Sequence, residues 1–153
     1  MSRRDQIRMS DDEVRAFLDE QRTVTCATNG LRGWPHLMPL WYVRRDDELW
    51  AWTYAKSQKA RNLERDARAT LQVEAGTEYH LLRGVMFETD VEIVRDGTAV
   101  EALGAELFTR YGGGSIDDAT RAMVAAQAPK RIGLRFVERS RVSWDHRKLG
   151  GTY

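Results

Sequence analysis

The sequence is short of several features that define large classes of protein. Its 153 residues include one cysteine, Cys26, so neither an intrachain disulfide nor a multi-cysteine metal site is possible. The 24 basic and 23 acidic residues nearly cancel, which argues against a nucleic-acid or membrane-surface binder, because such proteins carry a clear basic excess. No apolar run is long enough for a transmembrane helix, and the first residues lack the apolar core of a secretory signal. We therefore expect a cytoplasmic protein.

The three histidines are far apart and outside any paired-ligand spacing, so we expect no metal site. The chain shows no repeat and no linker, and 42% of its residues are hydrophobic, enough for an ordinary core. We expect one domain over residues 1–153. Lysine is scarce, because only four of the 24 basic residues are lysines, and two of these, Lys56 and Lys59, lie three positions apart.

What is present is a pattern of short strands with helices between them. A capping box at residues 10–13 predicts a helix over 10–22. Further helices are expected at 57–66, from a second capping box at Thr98 to Tyr111, and at 117–127, before a polar tail over 145–153. Alternating apolar residues predict strands at 23–28, 34–45, 49–54, 68–74, within 80–95, at 130–137 and at 141–144.

Most links between these strands are too short for parallel crossovers, so the sheet should be antiparallel. The segment 34–45 is apolar on both faces, which indicates one face against the core and the other against a second buried surface. Pro39 removes a ladder donor and so predicts a sheet edge or a bulge. We expect a mainly β protein with inserted helices (α+β) and a small barrel of six or seven strands.

The helix expected at 57–66 carries its charges in the unfavourable order. Lys56, Lys59 and Arg61 crowd its start, where the helix dipole favours acids, and the acids Glu64 and Asp66 lie at its end. A bound phosphate would compensate, because it can accept from the free backbone amides and from the cationic side chains together. The alternative is that these are solvated surface cations whose cost is screened by salt. The sequence leaves both open.

Aromatic residues lead into that helix. Trp50, Trp52 and Tyr54 lie on one face of the preceding strand, and Trp41 and Tyr42 lie on its partner strand. Such a stripe is either part of the core or a wall for a flat heteroaromatic ring whose phosphate tail reaches the helix start. There is no dinucleotide-binding fingerprint, P-loop or nucleophile elbow, and we expect His36 to be a hydrogen-bonded structural residue rather than a base. Hydride transfer by a bound cofactor would explain that absence.

The chain resembles the split-barrel flavoproteins related to pyridoxamine 5′-phosphate oxidase, and within them the actinobacterial branch that uses the deazaflavin F420. The resemblance rests on Gly33-Trp34-Pro35-His36 and on the stretch from Lys59 to Ala69, which is similar to the signature K-x-R-N-L-x-x-D-P-R with Ala67 replacing proline. Segments around Arg83-Gly84, Glu92 and Arg121 to Val124 add to it. The resemblance implies a split β-barrel of the FMN-binding type and a homodimer with cofactor sites at the subunit interface.

The resemblance also implies a set of cofactor-binding residues. Lys59 matches the phosphate-binding lysine, and Lys56, Ser57 and Gln58 fall around that phosphate, with Arg61 on the same helix. The residues that match the strand lining the flavin ring are Met38, Pro39, Leu40 and Trp41. The C-terminal segment, which closes the site in the family, contributes Trp144, His146, Arg147 and Lys148 as further candidates. No catalytic residue is assigned.

We therefore expect an F420H2-dependent oxidoreductase that passes a hydride to a small conjugated organic acceptor. The alternatives are an FMN-dependent oxidoreductase of the same family and a non-catalytic protein that binds a flavin or a tetrapyrrole. Oxidation of pyridoxamine phosphate is not expected, because residues 35–41 lack the arginines and lysines that hold the substrate phosphate in those oxidases.

Overall fold

The structure, a computed structural model, describes residues 1–151. Its strands are β1 (Val24–Asn29), β2 (Pro35–Leu40), β3 (Val43–Arg45), β4 (Glu48–Tyr54), β5 (Arg68–Ala75), β6 (Arg83–Val94) and β7 (Arg131–Asp145). They form one sheet in the order β2-β1-β5-β6-β7-β4-β3, and every neighbouring pair is antiparallel. The sheet curls into a half-barrel with helices inserted between strands, which confirms the expected fold class.

The helices are α1 (Arg3–Gln6), α2 (Asp11–Glu20), α3 (Gln58–Arg65), α4 (Gly97–Tyr111) and α5 (Asp118–Gln127), with 3₁₀ turns at Tyr79–Leu81, Ala128–Lys130 and His146–Leu149. The first capping box is confirmed, because the Ser10 hydroxyl accepts from the Glu13 amide and the Glu13 carboxylate accepts from the Ser10 amide. The capping box expected at Thr98 is wrong. Asp96 caps α4 instead and accepts from the Ala99 amide at 2.9 Å, since its carboxylate also complements the positive helix end.

Several predicted boundaries move by one or two residues, and α2 ends at Glu20 rather than at residue 22. The short helix α1 was not predicted; Ser2 caps it, and none of its residues is buried. The tail expected over 145–153 begins with the last residue of β7 and continues into the 3₁₀ turn at His146–Leu149. Its last two residues, 152 and 153, lie outside the described part of the chain.

The expected strand at 34–45 is two strands, because the chain turns at Trp41 and Tyr42. β2 lies at one edge of the sheet and β3 at the other, so these two residues carry the chain from edge to edge. Tyr42 causes the break: its side chain is fully buried, and its hydroxyl donates to the Leu18 carbonyl at the end of α2. Pro39 lies on the edge strand β2, as predicted.

The two strands expected at 130–137 and 141–144 are one strand of 15 residues, β7. The polar residues between them do not interrupt it, because a bulge absorbs the extra residue. Glu88 of β6 pairs with Ser140 and Thr89 pairs with Glu138, which leaves Arg139 without a pairing partner on β6. A bulge of this kind bends a strand and lets a long strand follow a curled sheet.

Two cores hold the molecule together. The main core fills the inner face of the half-barrel with residues such as Val24, Leu71, Val85 and Phe136, and Phe17 of α2 packs into it. A smaller core lies on the outer face, between the sheet and α4. It consists of Val43, Leu103 and Leu107 with Trp50, Trp52 and Tyr111 packed around them.

One arginine ties the helices to the link between the sheet edges. The Arg110 guanidinium on α4 donates to the Tyr42 carbonyl, to the Leu18 carbonyl at 3.0 Å and to the Gln21 carbonyl at 2.6 Å. The Leu18 carbonyl lies in the last turn of α2, where helix carbonyls lack intrahelical partners, and Gln21 directly follows that helix. Within residues 1–151 no helix has both the length and the apolar character needed to cross a membrane.

Candidate cofactor site

The start of α3 presents an open anion site. Ser57 is the N-cap, and its hydroxyl accepts from the Ala60 amide at 3.1 Å. The amides of Gln58 and Lys59 have no partner among the residues that the structure describes. The first turn of α3 contains no acidic residue. Two free donors therefore lie at the positive end of the helix, an arrangement that favours an anion.

Lys59 is the most unusual side chain of this helix. It is only 5% exposed, yet no hydrogen bond or ion pair holds it within residues 1–151. Burial lowers the pKa of the Lys59 amine, and Cys26, which is fully buried nearby, offsets this only slightly. Burial likewise raises the pKa of the Cys26 thiol to about 11, so this cysteine stays protonated and supplies no counter-charge at neutral pH. The side chain is thus mostly buried, while its amine nitrogen is not fully enclosed. A poorly solvated amine without a partner is costly, and an anion bound beside it would remove that cost.

A row of polar side chains continues from Lys59 along α3. Asn62, which is fully buried, donates to the Thr28 hydroxyl at 3.1 Å and accepts from the Gln58 side chain at 2.9 Å. Arg65, one turn further on, donates to the Asn29 carbonyl of β1 at 2.6 Å. These bonds fix α3 along β1. Sequence reasoning did not assign Thr28 and Asn62 to the site, although Asn62 is part of the K-x-R-N-L stretch.

The residues that we expect to line the cofactor ring lie on strand β2, close to α3. Met38 pairs with Cys26 and Leu40 pairs with Val24, so both side chains share the inner face with the buried residues of β1. Leu40 packs against the main core, whereas Met38 is 45% exposed, because β2 is an edge strand and the barrel is open there. Pro39 points to the opposite, outer face. The residue pairing thus places Met38 and Lys59 on either side of Cys26.

Trp41 follows at the open end of β2 and is held in a fixed orientation. Its ring stacks on Tyr111 of α4, with centroids 4.3 Å apart and planes 9° apart, and Phe108 meets it edge-on at 5.7 Å. The Tyr111 hydroxyl donates to the Arg22 carbonyl at 2.6 Å and accepts from Arg110 at 2.9 Å. Trp41 nevertheless remains 45% exposed, so it offers a rigid apolar surface beside β2. The role of Tyr111 was not apparent from the sequence.

The remaining aromatic residues do not form the wall that the sequence suggested. Tyr42 lies in the main core, and Trp50 and Trp52 pack beneath α4, so the cofactor-wall interpretation is wrong for these three residues. Side chains alternate between the two faces of β4. Its tryptophans face α4, and the residues between them face the main core. Tyr54 is half exposed, beneath the guanidinium of Arg131 at 3.7 Å.

The other predicted site residues fall into two groups. Lys56, Gln58 and Arg61 surround the start of α3 with exposed side chains, and Ser57 is partly buried as the cap. Trp144 and Lys148 lie at the C-terminal end of β7 and in the 3₁₀ turn after it, whereas β7 begins at Arg131, which pairs with Tyr54 just before α3.

At that far end, Trp144 pairs with Gly84 of β6. The Lys148 amine donates to the Glu13 carboxylate at 2.6 Å and to the Arg8 carbonyl at 2.8 Å. His146 contacts the Tyr79 carbonyl through Nδ1 at 2.8 Å, and Arg147 forms an ion pair with Asp145. Among the described residues, no hydrogen bond or ion pair joins these C-terminal side chains to α3. No group of three or more histidine, cysteine, aspartate or glutamate residues suited to a metal ion occurs in residues 1–151.

The half-barrel and the helix start at its open edge define a class of protein. A family model described as pyridoxamine 5′-phosphate oxidase matches residues 10–142, and the chain belongs to this family. Its curled sheet is the split barrel of that family. No curated protein matches the sequence.

Solved structures support the same assignment. The chain is similar to the conserved hypothetical protein Rv2991 from Mycobacterium tuberculosis, with 44% identity and a TM-score of 0.90 over 100% of this chain and 95% of that one. A structure described as an F420 reductase is 21% identical, with a TM-score of 0.66 over 82% and 93% of the two chains. HutZ, the heme storage protein from Vibrio cholerae, is 17% identical, with a TM-score of 0.68 over 87% and 94%. The last two show a shared fold.

Proposed function

We propose that the protein is an oxidoreductase that uses reduced F420 to reduce a small conjugated organic acceptor. The observation that carries the proposal is Lys59, a mostly buried side chain whose amine has no partner within residues 1–151, beside two free amides at the start of α3. A phosphate fits this donor set, because it carries the opposite charge and accepts several hydrogen bonds at once. The choice of F420 rests on the resemblance of the K-x-R-N-L stretch and of Gly33 to His36 to the F420-using branch.

In this proposal the chain binds and orients the cofactor and excludes water. Lys59 and the amides of Gln58 and Lys59 hold the phosphate, and the inner edge of β2 with Met38 and the fixed ring of Trp41 lines the tricyclic ring. When bound, reduced F420 supplies a hydride, and a proton from water completes reduction of the acceptor's double bond. The residues of β2 contribute by holding ring and acceptor in one orientation, which lowers the entropic part of the barrier.

We also propose a homodimer. Five large apolar side chains are exposed on the β1–β2 hairpin, on β2 and just after it: Leu31, Trp34, Leu37, Met38 and Trp41. Leu31 and Trp34, in the turn between β1 and β2, are 77% and 74% exposed, and exposed apolar side chains that cluster are typical of an interaction surface. A second copy would cover this patch and close the open side of the cofactor site. It would also offer a second set of C-terminal residues, including Trp144 and Lys148, to the site of its partner.

The test is a titration of the purified protein with F420 and with FMN, followed by fluorescence or absorbance. We expect saturable F420 binding and none of FMN. FMN binding alone would transfer the proposal to the FMN-dependent alternative, since both cofactors carry a phosphate that Lys59 could bind. Turnover is then assayed with reduced F420 and a panel of enones, quinones and biliverdin-like acceptors. Binding without turnover on the whole panel would identify a carrier rather than an enzyme.

A further inference from the structure

His36, beside the proposed cofactor site, has no hydrogen-bond partner for its ring within residues 1–151, so the expectation of a hydrogen-bonded structural histidine is wrong. It lies on β2 directly opposite Thr28, so its side chain shares the inner face with Met38, two residues further along. Thr28 accepts from Asn62 of α3, which connects this position to the helix that carries Lys59. His36 therefore lies at the level of the second turn of α3, next to the level of Lys59.

The two ring nitrogens of His36 have different surroundings. Nδ1 is buried and has no hydrogen-bond partner, whereas the residue as a whole is only partly buried. No hydrogen bond to either nitrogen occurs within the described part of the chain. A proton on Nδ1 would create a buried donor without an acceptor, which costs more than a buried lone pair. The favoured tautomer therefore carries its proton on Nε2, on the accessible side of the ring.

We propose that His36 contacts the cofactor by donating a hydrogen bond from Nε2 to an acceptor oxygen at its phosphate-bearing end. This inference rests on the proposed function, because it takes the ligand of Lys59 to be the phosphate-bearing cofactor. The buried Nδ1 fixes the tautomer, and Nε2 is neither fully buried nor hydrogen-bonded within the described residues, so it is free to donate. In this role the imidazole supplies one directional donor, where Lys59 supplies charge.

The first test reads the tautomer without any ligand. Protein labelled with ¹⁵N histidine is studied by long-range ¹H–¹⁵N correlation NMR, and His36 is identified from the spectrum of His36→Gln. We expect the Nε2–H pattern for the neutral ring. An Nδ1–H pattern would overturn the inference.

The second test uses two variants that each keep one nitrogen position. The side-chain amide of Gln lies near the position of Nε2, and that of Asn lies near the position of Nδ1. We expect His36→Gln to bind F420 within about threefold of the wild type, and His36→Asn to bind roughly tenfold more weakly, the loss of one hydrogen bond. Thermal unfolding of both variants checks that they are equally folded.

The outcomes separate this inference from the proposed function. If the wild type binds F420 or FMN and His36→Asn binds it equally well, the role of His36 is wrong and the proposed function stands. If the order of the two variants is reversed, Nδ1 makes the contact and the inference also fails. If the wild type binds neither cofactor, both are overturned.

Discussion

Replacing Lys59 by methionine should strengthen the fold and weaken cofactor binding at the same time. Methionine has a similar length and shape but no charge, so it fills the same buried space without the cost of an unpartnered amine. In the ligand-free protein Lys59 is 5% exposed and has no hydrogen bond within residues 1–151, so its removal breaks no bond. A structural lysine would show the opposite effect on stability.

The magnitudes follow from the two environments of the amine. Leaving a fully buried polar group unsatisfied costs about 1–3 kcal/mol. The Lys59 amine nitrogen is not fully enclosed, so the unfolding free energy of Lys59→Met at pH 7 should rise by about 1 kcal/mol, the low end of that range. Loss of a charge-assisted hydrogen bond to a phosphate costs about 1.5–3 kcal/mol, which corresponds to a roughly 10- to 150-fold weaker Kd for F420. Lys56, exposed on the preceding loop, is the matched control. Lys56→Met should change stability by less than about 0.5 kcal/mol.

The pH dependence of stability tests separately whether Lys59 destabilises the ligand-free protein. Burial lowers the pKa of Lys59 below its ordinary value of 10.5, so the unfolded chain binds the proton more readily than the folded protein. The wild type should therefore gain stability relative to Lys59→Met as the pH rises from the lowered pKa to 10.5. The Cys26 thiol, whose pKa is raised to about 11 in the folded protein, has the opposite effect and is present in both proteins.

The assays are urea unfolding of both variants at several pH values and fluorescence titration with F420. If Lys59→Met is less stable than the wild type by more than about 1 kcal/mol, the amine has a structural partner and the reasoning is refuted. Unchanged F420 affinity in a stable variant would likewise refute the assignment of Lys59 to the phosphate.

Three further predictions test the surface, the helix clamp and the far end of the sheet. Leu37→Glu should convert the proposed dimer to a monomer in sedimentation experiments and should lower F420 affinity; a variant that remains dimeric would show that this patch is not the interface. Arg110→Met should lower the unfolding free energy by about 2–4 kcal/mol, because several carbonyls lose their donor together; a loss below about 0.5 kcal/mol in urea unfolding would contradict this. Gly84→Ala should lower the unfolding free energy by about 1–3 kcal/mol, because the new methyl group would overlap the Trp144 ring. Gly97→Ala is the control, since the space around Gly97 is open, and it should be neutral or stabilising. Equal effects of the two substitutions would contradict the overlap.

Much of the fold was predictable because its signals are local. The Ser10 and Ser57 caps, the alternation of β6 and the break at Gly112 each depend on residues close together in the chain. The division of residues 34–45 was not predictable in this way. Nothing in the local pattern distinguishes one long strand from two, and the break depends on the burial of Tyr42 against the end of α2, a contact between distant segments.

The candidate site shows the same division. The unusual order of charges pointed to the start of α3, and the structure adds that Lys59 is buried whereas Lys56 and Arg61 are exposed. The prediction that Trp50, Trp52 and Tyr42 line a cofactor was wrong. Period-two alternation shows which residues share a face of a strand, but it does not show which layer covers that face. The partnerless Nδ1 of His36 is visible only once β2 is aligned with β1.

The edge-to-edge link at Trp41 and Tyr42 bears on how this protein avoids aggregation. An open antiparallel sheet exposes two edges, and each can recruit a strand from another chain. Here the edges β2 and β3 are joined by only two residues, so the curled sheet draws one end of β2 toward β3. The rest of β2 contains Pro35 and Pro39, two of the three prolines in the chain, and neither offers an amide hydrogen to an incoming strand. The edge can therefore meet another molecule through its side chains while it resists extension into a fibril-like sheet.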